Sequence, residues 1–482
     1  MRSPPSVVLV NPPITEAQRR GPIGPVIRNL YFNSPPLGLA YLAAVLEREG
    51  IPVRLLDAAV EGLRPEETVA LIRGWEPDIV GITSTTNFFC NALDLAQSLK
   101  VAWPSVRILI GGPHVTSNAR QVLAHSCFDV GVVGEAEITL VELLRTLADL
   151  GRLEDVPGLV FRRNGRVIET GRRPLIQDLD ALPMPARHLL PLSRYVPQPN
   201  DGPFLPKFAM ITSRGCPYEC IFCDHSVFGS SYRSFSACRI VDEMEHLVTH
   251  YGAADIAFVD SLFMPTVKRV DDITEEILRR RLKVHWTCTI RANVATRDTL
   301  QRMKEAGCWR VRIGIEAGDP AVLRFIQKRI TREQIVRVVR DAYDLGLHPK
   351  AFFMIGHPTE TEAAIRESIA FAKSLPLTDI TVQINTPLPG APQSAFIQKY
   401  GTIITTDHER YSFWEPVFVP SGLTRESMDR LYRSFYRSFY FRPITIWRHL
   451  RMIKSWHDVV RYGRALSLII RMFVRRRTRG AS

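Results

Sequence analysis

Long apolar runs are missing from this sequence of 482 residues. No segment reaches the ~20 consecutive apolar residues that a membrane-spanning helix needs, and the longest candidate, Ala465 to Val474, is interrupted by Arg471. The N-terminal residues run directly into the strand-like segment Val7–Val10, without the apolar stretch and small-residue site of a secretory leader. We therefore expect a cytoplasmic protein.

Cysteine is scarce, and its distribution excludes a disulfide framework. The chain has eight cysteines, of which only Cys216, Cys220 and Cys223 lie close together. We expect a protein of a reducing compartment, in which the remaining cysteines are small buried apolar residues. These are Cys90, Cys127, Cys238, Cys288 and Cys308.

Acidic residues are nearly absent from residues 433–482, where thirteen Lys and Arg accompany one acid, a balance of +12 out of a net charge of +13. The rest of the chain is close to neutral, which does not suit a nucleic-acid binder and indicates a dedicated docking segment. Phe435, Phe439, Trp447 and Leu450 recur among the arginines at helical spacing. One hypothesis is an amphipathic segment for the inner membrane surface or for access to a lipid-like substrate. The alternative is a basic helical subdomain that packs on the rest of the protein.

Residues 1–150 alternate β-branched runs with amphipathic stretches, which predicts a Rossmann-like, doubly wound sheet of five parallel strands. Such sheets bind ligands beyond the C-terminal ends of their strands. No G-x-G-x-x-G follows the first strand, so a dinucleotide is not expected. Small and polar residues at the strand ends predict a flat rim for a larger ligand. The rim residues are Asn11, Pro12, Thr83, Ser84, Thr85, Gly111, Gly112, Gly134 and Glu135.

Three further segments follow. Residues 151–205 predict a linker with a small hairpin at 158–169, and residues 206–390 contain six strands with their helices. Six strand–helix units are too few for a closed eight-stranded barrel and predict a partial (β/α)6 barrel, with its active site at the C-terminal strand ends. Residues 391–482 predict a mixed and then helical extension.

The first barrel strand leads directly into a cysteine loop, Arg214-Gly-Cys-Pro-Tyr-Glu-Cys-Ile-Phe-Cys-Asp-His225. Three thiolates at this spacing can bind three irons of a cubane and leave the fourth iron without a protein ligand. The alternative is a Cys3His zinc site that uses His225. A structural zinc site fits poorly at the active end of a barrel strand.

This C-x3-C-x-aromatic-C loop resembles the signature of the radical S-adenosylmethionine (SAM) superfamily. The resemblance implies a [4Fe–4S] cluster on Cys216, Cys220 and Cys223, whose open iron chelates the methionine part of SAM. It also implies an external reductant of the flavodoxin or ferredoxin type, whose electron cleaves SAM to a 5′-deoxyadenosyl radical. Phe222 would pack beside the adenine.

Other strand ends resemble the same superfamily. Asp260 would face the methionine amine, Arg312 and Glu316 would contact the ribose or the methionine carboxylate, and Gly356 would lie in the fifth-strand loop. In that loop Thr359 replaces the usual glycine. The alternatives are a helix cap for Asp260, a buried ion pair for Glu316 and a plain turn at Gly356.

The N-terminal domain resembles the cobalamin-binding domain of B12-dependent radical enzymes, and the combined resemblance covers about residues 5–390. The D-x-H-x-x-G motif of other B12 proteins is absent. The resemblance therefore implies cobalamin without a protein histidine ligand. His114, which follows Gly-Gly-Pro, is expected to form hydrogen bonds within its loop.

Together these patterns predict a cobalamin-dependent radical SAM methyltransferase that acts on an unactivated carbon of a small-molecule or lipid-like substrate. One alternative is ring closure or oxidation without methyl transfer, as in the anaerobic porphyrin-ester cyclases. Another is a metal-stabilised scaffold or a cobalamin-sensing module without enzymatic activity.

Overall fold

The computed structural model describes residues 5–15, 18, 34–197, 202–451, 453, 459–460 and 462–463. Its N-terminal domain is built on a seven-stranded sheet in the order β2-β1-β3-β4-β5-β6-β7. The first five strands are parallel, as predicted, because a helical crossover connects each of them to the next. The strands are β1 (Val7–Asn11), β2 (Val53–Asp57), β3 (Ile79–Thr83), β4 (Arg107–Gly111), β5 (Val130–Val132), β6 (Leu159–Arg163) and β7 (Arg166–Glu169).

The hairpin of β6 and β7 corrects two predictions, the five-stranded sheet and the linker that begins at residue 151. β6 pairs antiparallel with β5, so the hairpin extends the N-terminal sheet instead of lying in a linker. The hairpin itself is local in sequence, and its prediction is confirmed. Its attachment to β5 depends on packing, because Val160 and Phe161 are buried on opposite faces of the sheet.

Helices cover both faces of this sheet. Their apolar stripes produce the two hydrophobic cores that a doubly wound domain needs. The helices are α1 (Leu37–Arg48), α2 (Ala58–Glu61), α3 (Pro65–Gly74), α4 (Phe89–Ala102), α5 (Pro113–Val122) and α6 (Glu137–Ala148).

The second domain is an open half-barrel of six parallel strands in the order β8-β11-β12-β13-β14-β15, which confirms the predicted fold. A separate two-stranded pair, β9 (Ser213–Arg214) and β10 (Arg233–Ser234), brackets the cysteine loop. The barrel strands are β8 (Lys207–Met210), β11 (Asp255–Phe258), β12 (His285–Ile290), β13 (Cys308–Glu316), β14 (Lys350–Ile355) and β15 (Asp379–Ile384).

Five of the six barrel helices begin at hydroxyl caps, and the sixth begins at the carboxylate cap of Asp319. Ser236, Thr266, Thr296, Thr331 and Thr361 each accept a hydrogen bond from a backbone N–H three residues later. Each loop before these caps is therefore held at the C-terminal edge of the sheet. The helices are α7 (Ala237–Tyr251), α8 (Val267–Arg279), α9 (Arg297–Glu305), α10 (Pro320–Phe325), α11 (Arg332–Asp344) and α12 (Glu362–Ser374).

The segment between the two sheets packs into the core. Arg187 is 1% exposed, forms an ion pair with Glu243 of α7 and donates to the carbonyl of Ala209 in β8. Leu179 and Leu182 join one continuous apolar cluster that contains residues of both domains. The two domains therefore share a core.

The C-terminal extension corrects part of the lipid hypothesis. After a small hairpin of β16 (Gly401–Ile403) and β17 (Phe418–Pro420), helix α13 (Arg425–Tyr440) lies against β15. Phe435 and Phe439 were predicted in a lipid-facing segment, but both are fully buried in the barrel core. Helix α14 (Pro443–Arg451) follows. The predicted tail beyond it lies almost entirely outside the described residues.

Within the described ranges, no helix combines the length and the apolar character that spanning a bilayer requires.

Candidate active site at the domain interface

The cysteine loop lies at the C-terminal end of β8, as predicted, and a glycine shapes its entry. Gly215 has a φ of +79°. A side chain there would collide with the carbonyl oxygen of Ser231, so the close approach of the two chain segments requires glycine. The loop therefore curls tightly before the first cysteine.

The three thiols lie close enough to influence one another. A hydrogen bond between the Cys220 and Cys223 side chains, with help from the cations of Lys328 and Arg291, lowers the pKa of Cys220 to about 6. Burial raises the pKa of Cys216. One thiolate is thus favoured at neutral pH, the form that binds metal.

The thiols of the cysteine loop do not form a ready-made single-ion site in the described structure. Over the described residues, no three His, Cys, Asp or Glu side chains converge closely enough to surround one metal ion. A Cys3His zinc site needs four ligands at one point. In a cubane each thiolate binds a different iron, so the sulfurs can stay further apart.

Two cations flank the thiols. Arg291, at the end of β12, donates to Cys220 Sγ at 3.9 Å and lies 3.4 Å from the ring centroid of Tyr218. Lys328 forms a 2.6 Å ion pair with Glu316 and lies 5.9 Å from the ring centroid of Phe222. The site is therefore electropositive around its sulfurs.

Asp260 lies at the end of β11, as predicted, but its carboxylate is used within the protein. It accepts hydrogen bonds from the backbone N–H groups of Thr212 and Ser213 at 2.5 and 2.9 Å, and from the Thr212 hydroxyl at 2.6 Å. Asp260 thus anchors the chain just before the cysteine loop. Its contact with a methionine amine stays a prediction.

Glu316 lies at a register shift in β13 and has a φ of +70°, a strained backbone for a non-glycine residue. Its side chain is buried and pairs with Lys328, which matches the ion-pair alternative. Arg312 donates to the carbonyl of Phe258 at 2.6 Å across the barrel interior. Both side chains lie in the half-barrel, where contact with SAM remains a prediction.

The fifth-strand loop forms a compact turn around a buried carboxylate. Glu360 accepts from the N–H groups of Gly356 and His357 at 2.6 and 3.1 Å, and burial raises its pKa to about 8. His357 is fully buried beside Phe222, with 5.8 Å between ring centroids, and neither ring nitrogen has a partner in the described structure. Two unpartnered nitrogens beside Phe222 fit a site for a polar, flat ligand such as adenine.

The predicted rim of the N-terminal domain is assembled at one edge. Asn11 donates to Asp57 at 2.9 Å, and the Tyr195 hydroxyl donates to the same carboxylate at 2.8 Å. The adjoining Pro12 is buried. This end of the sheet is therefore tied to the segment before the barrel.

The loops after β3 and β4 interlock. Gly112 has a φ of +105°, and an added Cβ would lie 2.6 Å from the carbonyl oxygen of Ser84. Ser84 N–H donates to Gly111 O at 2.9 Å. Thr83 is half-buried and Thr85 exposed. The space in front of Gly134 is open, as an accessible ligand rim requires.

His114 forms a hydrogen bond, as predicted, but it lies in the first turn of α5 and its partner belongs to the loop after β3. It is 1% exposed, its Nδ1 lies 3.3 Å from the Thr86 hydroxyl, and its ring packs on Phe89 and on His408 of the C-terminal extension. Burial, together with His408, lowers its pKa to about 4. A ring enclosed in this way is not presented to a cobalt ion.

Glu135, which was predicted at the cofactor rim, uses its side chain in the domain interface. Its carboxylate forms buried ion pairs with Arg214 at 3.0 Å and Arg233 at 2.8 Å and accepts from the Ile176 N–H. Glu137 pairs with Arg214 as well, at 2.5 Å. The side chain of Glu135 therefore belongs to the domain interface.

A second contact joins the two C-terminal edges. Ser117 of α5 donates to the carboxylate of Asp224 at 3.1 Å and lies 3.0 Å from the Ser226 hydroxyl. Asp224 directly follows Cys223, and Gly390 packs so closely on it that a side chain would collide. The rim of one domain thus faces the cysteine loop of the other.

The segment after β15 closes one side of this interface. Asn385 and Gln393 exchange amide hydrogen bonds of 3.1 and 2.8 Å, and Gln393 N–H donates to Ile221 of the cysteine loop at 2.9 Å. Further along, His408 reaches the His114 ring, with 4.9 Å between centroids. This segment therefore spans from the barrel to the N-terminal rim.

Known proteins match both halves of this arrangement. The B12 binding domain family matches residues 23–144, and the Radical SAM superfamily matches residues 210–372. The chain is 36% identical over 439 residues to the uncharacterized methyltransferase PH0819 of Pyrococcus horikoshii, with 91% of this chain and 93% of that protein covered. The chain belongs to the B12-binding radical SAM family. The predicted enzyme class is thereby confirmed.

Two further similarities bear on fold and reaction. The chain is 31% identical over 421 residues to the anaerobic magnesium-protoporphyrin IX monomethyl ester cyclase of Rubrivivax gelatinosus, with 84% of this chain and 74% of the cyclase covered. The structure of the radical SAM methyltransferase TsrM from Kitasatospora setae, with cobalamin and a [4Fe–4S] cluster bound, superposes with a TM-score of 0.70 at 17% identity, covering 92% of this chain and 90% of TsrM. The TsrM comparison confirms the predicted fold.

Several site residues escaped prediction because no local motif marks them. Arg291 follows β12 and Lys328 follows α10, and neither element carries a recognised motif. His357 is a single residue in a loop that the sequence analysis singled out for Gly356. A charged residue directly after a barrel strand is the one signal that could have identified Arg291. The partners of Arg214 have no sequence signal, because they depend on how the two domains pack.

Proposed function

We propose that this enzyme transfers a methyl group to an unactivated carbon of a small-molecule or lipid-like substrate. The observation that carries the proposal is the direct apposition of the cobalamin-domain rim and the cysteine loop through Arg214 and Asp224. Hydrogen removal and methyl delivery must occur at the same carbon, so both cofactor sites must open on one cleft. Cobalamin would supply the methyl group, and the cluster with SAM would supply the radical.

The chain's own residues hold and orient these groups. Cys216, Cys220 and Cys223 provide the thiolates, and Phe222, whose ring packs against His357, would lie beside the adenine. Asp260 and Glu360 fix the loops after β8 and β14 through backbone N–H groups. The electron comes from an external reductant of the flavodoxin or ferredoxin type.

Methyl-labelled SAM tests the proposal. The anaerobically reconstituted enzyme is turned over with candidate substrates, and each product is analysed by mass spectrometry. A labelled methyl group on carbon supports methyl transfer. A product that has lost hydrogen or closed a ring, without label, would contradict it and favour the cyclase reaction.

We further propose that helix α14 docks on an anionic lipid surface. Its apolar side faces outward: Ile444, Ile446 and Leu450 are 44%, 45% and 59% exposed. Its inward side carries Thr445, which is fully buried, and Arg448, which donates to the Leu377 carbonyl. An outward apolar stripe within the strongly basic 433–482 segment suits insertion between anionic headgroups.

The position of α14 favours a role in attaching the enzyme to a membrane over a role in delivering a lipid-like substrate. Arg448 contacts Leu377, just before β15 begins, so α14 lies at the N-terminal end of the barrel strands. The cysteine loop lies at the opposite, C-terminal end. Docking would therefore hold the enzyme at a membrane with the cysteine loop on the side away from the lipid.

Vesicle co-sedimentation tests this docking with the full chain. Substitution of Ile444, Ile446 and Leu450 by serine should abolish binding to phosphatidylglycerol vesicles, and neutral phosphatidylcholine vesicles should bind neither protein. Val101→Ser, at a residue that is 84% exposed on α4, is the matched control and should bind like the wild type. Equal binding by the triple variant and the wild type would rule out α14.

A further inference from the structure

Arg291 is a buried cation without a carboxylate partner. It is 7% exposed, and no acidic side chain of the described structure forms an ion pair with it. Its hydrogen-bond partners are the Lys328 carbonyl, Asn293 Oδ1 at 3.4 Å and Cys220 Sγ at 3.9 Å. Burial of an unpaired charge is costly, so such a charge indicates an anionic occupant close by.

Lys328, the neighbouring cation, does have a carboxylate partner. Lys328 is neutralised by Glu316, with 2.6 Å between Nζ and Oε1. Both cations act on the thiols, but only Arg291 brings a positive charge that has no carboxylate opposite it in the described structure. An arginine side chain carries a permanent positive charge in proteins.

The loop between the first two cysteines holds Arg291 in place. Tyr218 lies two residues after Cys216, and the guanidinium lies 3.4 Å from its ring centroid. Asn293 donates to the Tyr218 hydroxyl at 3.4 Å and accepts from Arg291 Nε. The ring and the amide together direct Arg291 at the Cys220 sulfur.

We propose that Arg291 sets the reduction potential of the cluster that Cys216, Cys220 and Cys223 hold. Reduction adds negative charge to the cluster. A permanent cation and an N–H donor at one of its sulfurs stabilise the reduced form more than the oxidised form. Arg291 is thus a tuning residue that acts through Cys220. The proposal rests on the family's cluster and is independent of whether the product is methylated.

The test is a redox titration of the reconstituted full-length protein, followed by electron paramagnetic resonance without SAM. Arg291→Gln should lower the ratio of reduced to oxidised cluster at a fixed applied potential at least tenfold, which corresponds to 59 mV for one electron. Arg291→Lys keeps the charge but not the planar donor. Its reduction potential should therefore lie between those of the wild type and Arg291→Gln. Arg310→Gln is the control. It removes another buried arginine, near Asp379 at the opposite end of the sheet, and should leave the potential unchanged.

Each outcome decides the proposal. An unchanged potential in Arg291→Gln with full iron content overturns it, even if the enzyme proves to be a methyltransferase. If Arg291→Gln does not retain iron, Tyr218→Leu decides, because it frees the guanidinium while keeping its charge. A lowered potential in Tyr218→Leu supports the proposal, and a wild-type potential overturns it.

Discussion

The guanidinium of Arg214 lies 3.0 Å from the carboxylate of Glu135, and both side chains are buried. Arg214 stands two residues before Cys216, and Glu135 follows the rim residue Gly134. One ion pair therefore connects the segment that leads into the cysteine loop with the edge of the cobalamin domain. The contribution of this ion pair to the free energy of unfolding can be measured by substitution of Arg214.

Arg214→Gln should destabilise the protein strongly. Removal of one partner leaves Glu135 and Glu137 buried with less compensation, a situation that costs about 3 kcal/mol or more. The free energy of unfolding from chemical denaturation measures this loss. Arg163→Gln, which removes an exposed ion pair with Glu154, should cost less than about 0.5 kcal/mol. Similar losses in both variants would contradict the role of the buried network.

Gly112→Ala should weaken cobalamin binding by the N-terminal rim. The new Cβ would meet the Ser84 carbonyl at 2.6 Å in a left-handed backbone, so the interlocked loops after β3 and β4 must move apart. Equilibrium binding followed by cobalamin absorbance should show at least a tenfold loss of affinity. Gly74→Ala, where an added Cβ has nothing within 4 Å, should bind normally. Normal affinity in Gly112→Ala would place the cofactor elsewhere.

The buried His114 should make stability depend on pH. Burial lowers its folded-state pKa from 6.5 to about 4, so between these values the unfolded chain binds a proton that the folded chain does not. Stability should therefore fall as the pH drops from 6.5 toward 4. His114→Asn should flatten that part of the curve, measured as the denaturation midpoint against pH. His188→Asn, at an exposed histidine, is the control, and an equal change in both would argue against His114.

Local pattern predicted much of this molecule because the decisive features are close in sequence. The three cysteines span eight residues, and the alternation of strands and helices alone places Asp260, Glu316 and Gly356 at strand ends. Parallel sheets bring those ends to one edge, and the resemblance to the radical SAM superfamily selected these residues among the strand ends.

What could not be predicted depends on contacts between distant residues. Arg214 and Glu135 are 79 residues apart, and Arg291 and Cys220 are 71 apart. The attachment of the β6–β7 hairpin to β5 and the burial of Phe435 and Phe439 also follow from packing. Cys238 illustrates the same limit, because it was expected to be buried and is exposed.

The central claim is that Cys216, Cys220 and Cys223 hold a cluster that cleaves SAM. Anaerobic reconstitution of the wild type should give about four irons per chain, as a [4Fe–4S] cluster requires, and 5′-deoxyadenosine should form on reduction with SAM. Substitution of the three cysteines by alanine should abolish both, whereas Cys238→Ala should retain both. Undiminished iron content and 5′-deoxyadenosine formation in the triple variant would contradict the account.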